Sequence, residues 1–261
     1  MLDVDKIYEN LKTEFIGRKV IYLNSVDSTN EVAKIEAGNS LAGTIVLADE
    51  QTGGKGRNGR RWISKSGEGI WMSLILKPSI QPKDASLMTI VAGAAVCKSL
   101  NDMGVDAEVK WPNDLVLNGK KIAGILSELC LQGDEIGYLV VGIGINVSTL
   151  KFDEEIERKA SSLLKEGFEI ERETLIFSVL NEFEELYKEY VDKGEKTKIL
   201  DININRSALI GKRIYLNGNE SRLVDCIGLS EEGSLIVQDE YGNRIEVNSG
   251  EVSVRGENGY V

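Results

Sequence analysis

Hydrophobic residues recur along this chain with two periods, and the change from one to the other divides it. Spacing near 3.6 residues predicts helices over 3–16 (Ile7, Leu11, Phe15, with Gly17 as a stop), 84–103 (Leu87, Ile90, Val91, Ala94, Leu100, closed by Gly104) and 171–193 (Ile176, Val179, Leu180, Phe183, Leu186, Tyr187, Tyr190, ended by Gly194). Another helix is expected after Ser28, where Ser28 and Glu31 read as a capping box and Gly38 as the end. Apolar or alternating runs predict strands at 18–24, 44–49, 70–77, 107–117, 120–130 and 136–147. Asn118-Gly119 is the strongest short hairpin signal. From about residue 209 the texture changes to short alternating runs (212–216, 222–228, 234–238, 244–248, 252–255), separated by Asn217-Gly218, Glu232-Gly233, Gly242-Asn243 and Ser249-Gly250. Strands at that spacing predict a small β-barrel. A domain boundary is placed near 205–209, giving units 1–208 and 209–261.

Composition narrows what these elements serve. With 42% hydrophobic and 28% charged residues the chain reads as an ordinary soluble globular protein. Its net charge of −11 repels polyphosphate backbones, so DNA and long RNA are not expected as partners. No run is long enough to span a bilayer, and the N-terminus lacks a signal-peptide core, so no membrane association and a cytoplasmic location are expected. Cys97, Cys130 and Cys226 are scattered, as reduced packing residues in a cytosolic protein would be. Without secretion the Asn-x-Ser sequons at Asn146, Asn205 and Asn219 carry no weight. Histidine is absent. That removes Ser-His and Cys-His pairs and HExxH zinc sites, leaving lysine, arginine, carboxylates, amides or a metal ion.

Three stretches hold candidate chemistry. Residues 51–62, QTGGKGRNGRRW, concentrate Lys55, Arg57, Arg60 and Arg61 among glycines, with no acidic residue. Glycine permits close backbone approach, and arginine forks match carboxylate and phosphate oxygens. Gly54, Gly56 and Gly59 fit G-x-G-x-x-G, but no helix begins inside the motif and G-K-[ST] is absent, so dinucleotide and P-loop readings fail. A flap closing over an anionic small molecule survives, beside a merely solvated loop. In KWPNDLVLNGKKIAGILSE, residues 110–128, a turn at Asn118-Gly119 pairs Leu117 with Lys120, Val116 with Lys121 and Asp114 with Ala123. Alternation then places Asp114, Val116, Lys121 and Ala123 on one face. That juxtaposition suits an anion plus magnesium, or a plain surface ion pair. In VVGIGINV, residues 140–147, Val140, Gly142, Gly144 and Asn146 share a face, fitting either a flat ligand such as a purine or a tight strand crossing. Ser28, Thr29 and Asn30 either start their helix or use it to bind a ligand.

Taken together, GKGRNGRRW, KWPND, KIAGILSE and GIGIN occur in the order and at intervals similar to those of the biotin protein ligases, as do DSTNE at 27–31 and EVSVR at 251–255. The chain resembles that family over nearly its whole length. Lys55 departs from the pattern: arginine is usual there, and lysine keeps the charge but loses the fork. The resemblance implies an α+β fold with a mixed, largely antiparallel sheet and flanking helices, like the class II aminoacyl-tRNA synthetases, plus a C-terminal SH3-like barrel.

The implied reaction has two steps. Biotin and ATP, with Mg²⁺, form biotinyl-5′-AMP, and a lysine of a biotin carboxyl carrier protein then takes the biotinyl group. Matching positions imply roles: Ser28, Thr29, Asn30, Gln51, Lys55, Gly56, Arg57 and Lys121 for biotin and its acyl-adenylate. Arg57, Arg60, Trp62, Asn113, Asp114, Lys121, Asn146 and Arg255 would serve the nucleotide, with Asp114 as the metal ligand. Lys121, Arg57 and Asp114 would be catalytic. Some family members carry an N-terminal DNA-binding module; about 20 residues precede the first matched strand, so neither that module nor operator binding is expected. The family resemblance further suggests a homodimer through sheet edges. The alternatives are a lipoate or octanoate ligase or transferase on the same fold, and a non-catalytic binding module.

Overall fold

A computed structural model describes residues 1–217, 221–249, 253–256 and 260–261. The turns expected at Asn217-Gly218 and Ser249-Gly250, the Asn219 sequon and the Glu251-Val252 half of EVSVR lie outside the described residues. The chain opens with helix α1 (Val4–Asn10), then strand β1 (Val20–Val26), α2 (Thr29–Glu36), β2 (Ile45–Gln51), β3 (Gly69–Leu76) and α3 (Leu87–Asp102). Strands β4 (Glu108–Lys110), β5 (Asp114–Leu117), β6 (Lys120–Gln132) and β7 (Glu135–Asn146) follow. Next come helices α4 (Glu154–Glu157), α5 (Arg172–Lys193) and α6 (Thr197–Asn205). Strands β8 (Arg213–Asn217), β9 (Ser221–Leu229), β10 (Leu235–Gln238), β11 (Arg244–Val247) and β12 (Ser253–Gly256) close it.

The first seven strands form one sheet in the order β1-β2-β3-β7-β6-β5-β4. Only β1 and β2 run parallel; the other pairs are antiparallel. This is the mixed, largely antiparallel α+β sheet expected. One face packs on α3 and α5 through Met72, Leu74, Ile90, Val91, Val179 and Phe183. The other face carries α2, whose Ala33, with Ala37 just past the helix, meets Val46, Ile75 and Val140. The remaining strands form a second, antiparallel sheet ordered β11-β10-β9-β8-β12, consistent with an SH3-like unit. Trp111 Nε1 donates to Gly233 O at 2.9 Å, tying the two sheets together. Among the described residues no helix is long and apolar enough to cross a membrane.

Several expectations need correction. The helix expected over 3–16 stops at Asn10. Beyond it Glu184, only 5% exposed on α5, accepts from the backbone N–H groups of Glu14, Phe15 and Ile16, the last two at 2.9 and 2.7 Å. A distant carboxylate therefore takes the donors a longer helix would have used. The Ser28–Glu31 capping box is not made: Ser28 stands at the N-cap without a side-chain bond, and Gln51 Oε1 accepts from the Thr29 N–H at 2.8 Å instead. The single strand expected at 107–117 is a hairpin, with Glu108 opposite Val116 and Lys110 opposite Asp114. Pro112, which follows a cis peptide bond, interrupts the run. The short helix α4 and the nine-residue α6 were not marked by any expectation.

The turn at Asn118-Gly119 does pair Leu117 with Lys120 and Val116 with Lys121. A bulge then shifts the register, so Asp114 faces Gly124, and Ala123 faces Leu115. Ala123 consequently belongs to the buried core and Gly124 takes its expected place beside Lys121.

Replacing Glu184 by alanine leaves the Glu14–Ile16 N–H groups without their acceptor. The expected loss is about 3 kcal/mol of stability, measured by urea unfolding. A loss under about 0.5 kcal/mol would show that water serves these donors equally well.

Candidate functional site

The C-terminal ends of β2 and β7, the start of β6 and the loop after β2 surround a cavity of about 470 Å³. All the residues to which the family resemblance gave a role line it, whereas Val116, Ala123 and Val140 are buried in the core. Ser28, Thr29, Asn30 and Gln51 stand at one end; Lys55, Gly56, Arg57, Arg60 and Trp62 form the loop wall. Asn113, Asp114 and Lys121 come from the β5–β6 side, Asn146 from β7 and Arg255 from β12.

At the first end the polar groups hold one another in place. Thr29 Oγ1 donates to Gln51 Oε1 at 3.0 Å, and Gln51 Nε2 donates to Ser64 Oγ at 2.8 Å. Ser73 Oγ lies 2.8 Å from Thr29 Oγ1 and 2.6 Å from Asn30 Oδ1. Asn30 Nδ2 donates to Glu128 Oε2 at 2.7 Å. Such a buried set holds its donors and acceptors in a fixed array.

The glycines of β7 make room for side chains of the protein itself. A Cβ at Gly142 would overlap Asn30 Oδ1, and one at Gly144 would lie 2.7 Å from Trp62 Nε1. The flat group pressed on Gly144 is therefore the Trp62 indole. Gly124 lies under the same ring.

The loop of residues 51–62 has an internal hydrogen-bonded order. Gly56 N–H donates to Arg60 O at 2.7 Å, and Trp62 N–H donates to Gly54 O at 2.8 Å. Arg57 crosses to the other wall, where it donates to Asn113 Oδ1 at 3.0 Å and to the Ser249 carbonyl. Lys55 points away, pairing with Glu31 at 2.6 Å on the rim. Lys55 and Lys34 hold the Glu31 carboxyl below its usual range.

Lys121 and Asp114 meet at 2.5 Å, with side chains 23% and 14% exposed. The pair is thus inside the cavity, where screening by solvent is weak, and not on the surface. Lys121 Nζ also lies 5.0 Å from the Trp62 ring centroid. Residues 159–161 bond to the Lys121 backbone on both sides, at 2.8 and 2.9 Å, and bring Phe152, Ile156 and Ala160 to the cavity wall.

Lys110, Tyr260 and Ser73 were not singled out from sequence. Lys110 is 2% exposed, with no hydrogen-bond partner for Nζ, which lies 3.3 Å from the Tyr260 ring centroid. Tyr260 Oη donates to Asp114 Oδ2. Burial pushes the Lys110 ammonium down to about 7, with Asp114 opposing and Arg255, Lys121 and Arg60 reinforcing the shift. Burial, then Asp114, raise the Tyr260 phenol above its ordinary range. Lys110 opens the KWPND motif, so a hairpin turn at Pro112 was the available signal for it. Ser73 is the lone polar residue in an apolar strand. Nothing local in the sequence marks Tyr260.

No group of three or more His, Cys, Asp or Glu side chains placed to hold a metal occurs among the described residues. Asp114 is already ion-paired with Lys121 and accepts from Tyr260. The cavity thus fits a magnesium ion only as one carried in by phosphates, for which a single protein carboxylate suffices.

Comparison with known proteins places this geometry. A sequence model of the Biotin/lipoate A/B protein ligase family matches residues 22–146. The chain is 35% identical over 253 residues to the Bifunctional ligase/repressor BirA of Bacillus subtilis, covering 92% of this chain and 76% of that one. It is 27% identical over 258 residues to a Biotin–[acetyl-CoA-carboxylase] ligase of Mycobacterium tuberculosis, covering 93% of each. Its structure is similar to that of the biotin protein ligase from Aquifex aeolicus in complex with biotin and ATP. The TM-score is 0.79 at 32% identity, over 92% of this chain and 100% of that one.

The depressed Lys110 ammonium has a consequence for stability. An unfolded lysine titrates near 10.5 and the buried one near 7, so between these values only the unfolded state holds the proton. Stability therefore rises with pH across that window, and the cost of burying the charge is greatest below it. Lys110→Met is expected to melt higher than the parent near pH 7, with the gap closing as pH approaches 10.5. A gap independent of pH would show that Lys110 stays charged.

Proposed function

The chain belongs to the biotin/lipoate A/B protein ligase family, and we propose that it joins biotin to AMP at the expense of ATP and then passes the biotinyl group to a lysine of a biotin carboxyl carrier domain. The observation that carries this reading is convergence. Residues from segments as far apart as Ser28 and Arg255 line one cavity, with Lys121 and Asp114 paired inside it.

The cavity's own chemistry supports the sequence of events. In the first step an oxygen of the biotin carboxylate attacks the α-phosphorus of ATP, and the bond to pyrophosphate breaks. Two anions must approach each other, so a cation between them lowers the barrier most. Lys121 is that cation: it leaves Asp114 and bridges the biotin carboxylate and the α-phosphate. Thr29, Asn30 and Gln51, held by Ser64 and Ser73, receive the biotin ring and its tail. Arg57, beside Asn113, closes over the acyl-adenylate with Lys55 and Gly56 and keeps water from the anhydride. Arg60, Trp62, Asn113, Asn146 and Arg255 hold the nucleotide. Asp114 would hold a Mg²⁺ carried in by the phosphates, and the ion would supply charge neutralisation there. In the second step the neutral acceptor amine attacks the anhydride carbonyl, AMP leaves, and Asp114 takes the amine's proton.

Removing the charge at position 121 while keeping its length, Lys121→Met, is expected to slow biotin-dependent pyrophosphate exchange by about 100-fold or more. A near-normal exchange rate removes Lys121 from the chemistry. Arg57→Gly is expected to release biotinyl-AMP about 10-fold faster, the worth of one charge-assisted hydrogen bond. If the adenylate escapes at the parent's rate, the loop is not its lid. Calorimetry with biotin and with lipoate, each with and without ATP, tests the acid itself. Binding of biotin alone, strengthened by nucleotide, is the expected outcome; preference for lipoate would move the chain to the other branch of the family.

A further inference from the structure

Among the described residues one fully buried cation of the cavity has neither an ion pair nor a hydrogen bond. Lys110 Nζ is buried and makes no hydrogen bond; what it faces is the Tyr260 ring, 3.3 Å away. A lysine in that position is normally matched by a carboxylate or phosphate, because a buried charge without a partner is costly. The π face of a phenol is a weaker substitute. Other cations stand around the same ring. The Arg255 guanidinium carbon is 5.5 Å from the ring centroid, and Arg60 acts electrostatically on both Lys110 and Tyr260. Lys121 adds its field at Lys110 from the far side of Asp114. Only Asp114 opposes them at close range, and its two oxygens are taken by Lys121 and the Tyr260 hydroxyl. A neutral aromatic ring thus fills the point that Lys110 and Arg255 face, within the field of Arg60, while Lys121 acts on Lys110 alone.

We propose that Tyr260 holds the place of a polyanion, the pyrophosphate portion of the nucleotide, and swings out of it when polyphosphate binds. The proposal rests on the nucleotide-dependent reading given above. Displacement exchanges one charge-assisted hydroxyl–carboxylate bond and one cation–π contact for several charge-assisted bonds from Lys110 and its neighbours. It also frees Asp114 on the side now capped by Tyr260. When pyrophosphate leaves after the first step, the ring returns. It then covers Lys110, so that pyrophosphate does not readily rebind and reverse the reaction while the acyl-adenylate waits for its acceptor.

The competition sets the sign of the test. Tyr260→Phe keeps the ring but removes the bond to Asp114 that polyphosphate must break. Inorganic pyrophosphate, titrated calorimetrically, is expected to bind this variant about 5-fold more tightly than the parent. Equal or weaker binding overturns the proposal, the weaker result meaning that the hydroxyl contacts the ligand. Lys110→Met is expected to weaken pyrophosphate binding at least 10-fold; undiminished binding also overturns it. A measurement on the unaltered chain guards against a misfolded variant: backbone hydrogen exchange at Tyr260 and Val261 is expected to accelerate on adding pyrophosphate. Slower or unchanged exchange counts against displacement. If the parent binds neither ATP nor pyrophosphate, the nucleotide reading itself fails. If it binds both and Tyr260→Phe gains nothing, only the role of Tyr260 fails.

Discussion

The 2.5 Å contact between Lys121 and Asp114 is the constraint around which the cavity is organised. It joins adjacent strands across a bulge, and the backbone of Lys121 is held on its other side by residues 159–161. A lysine side chain is long and mobile, and in solvent such a pair contributes little. Here Trp62 lies against the ammonium and Gly124 leaves room beneath it. The ion pair thereby fixes the direction of a charge that would otherwise wander. It also keeps that charge available, because an anion offering two contacts can outbid a single carboxylate.

The protein as a whole is strongly acidic, with a net charge of −11, yet this cavity gathers Arg57, Arg60, Lys110, Lys121 and Arg255. The contrast separates two tasks. The acidic exterior discourages long polyanions, while the local field inside attracts a small one. Charge density of that kind is stable only when each cation has company. Lys55 is satisfied by Glu31, Arg57 by Asn113 and the Ser249 carbonyl, and Lys121 by Asp114. Lys110 is satisfied least, and its burial is where the demand for a ligand is greatest.

What could be read from sequence followed from how local each signal was. The glycine-rich cationic loop, the Asn118-Gly119 turn and the stop at Gly194 depend on neighbouring residues, and they stand where expected. Lys121 and Asp114 were brought to one face by alternation, although the register beyond Val116 was wrong by the width of one bulge. Strict alternation has no means of announcing a bulge. The segment 107–117 was read as one strand because its apolar residues alternate, while Pro112 inside it carried the stronger message. Glu184 and Tyr260 act on residues 170 and 146 positions away in the chain. Neither has a local pattern to betray it, since only the folded chain brings them to their partners. Every residue given a role by the family resemblance lines the cavity, but the resemblance missed Lys110 although that residue begins one of the motifs quoted for it.

The bond from the Trp111 indole to the Gly233 carbonyl bears on how such proteins can be recombined. Trp111 is nearly fully buried between the sheets, so its N–H has no recourse to solvent. A chimera that exchanges the C-terminal sheet for a relative's must supply an acceptor at that point or strand a donor in the seam. The turn between β9 and β10 is therefore part of the inheritance of the larger unit, and the natural splice for domain exchange does not fall cleanly at the linker before β8.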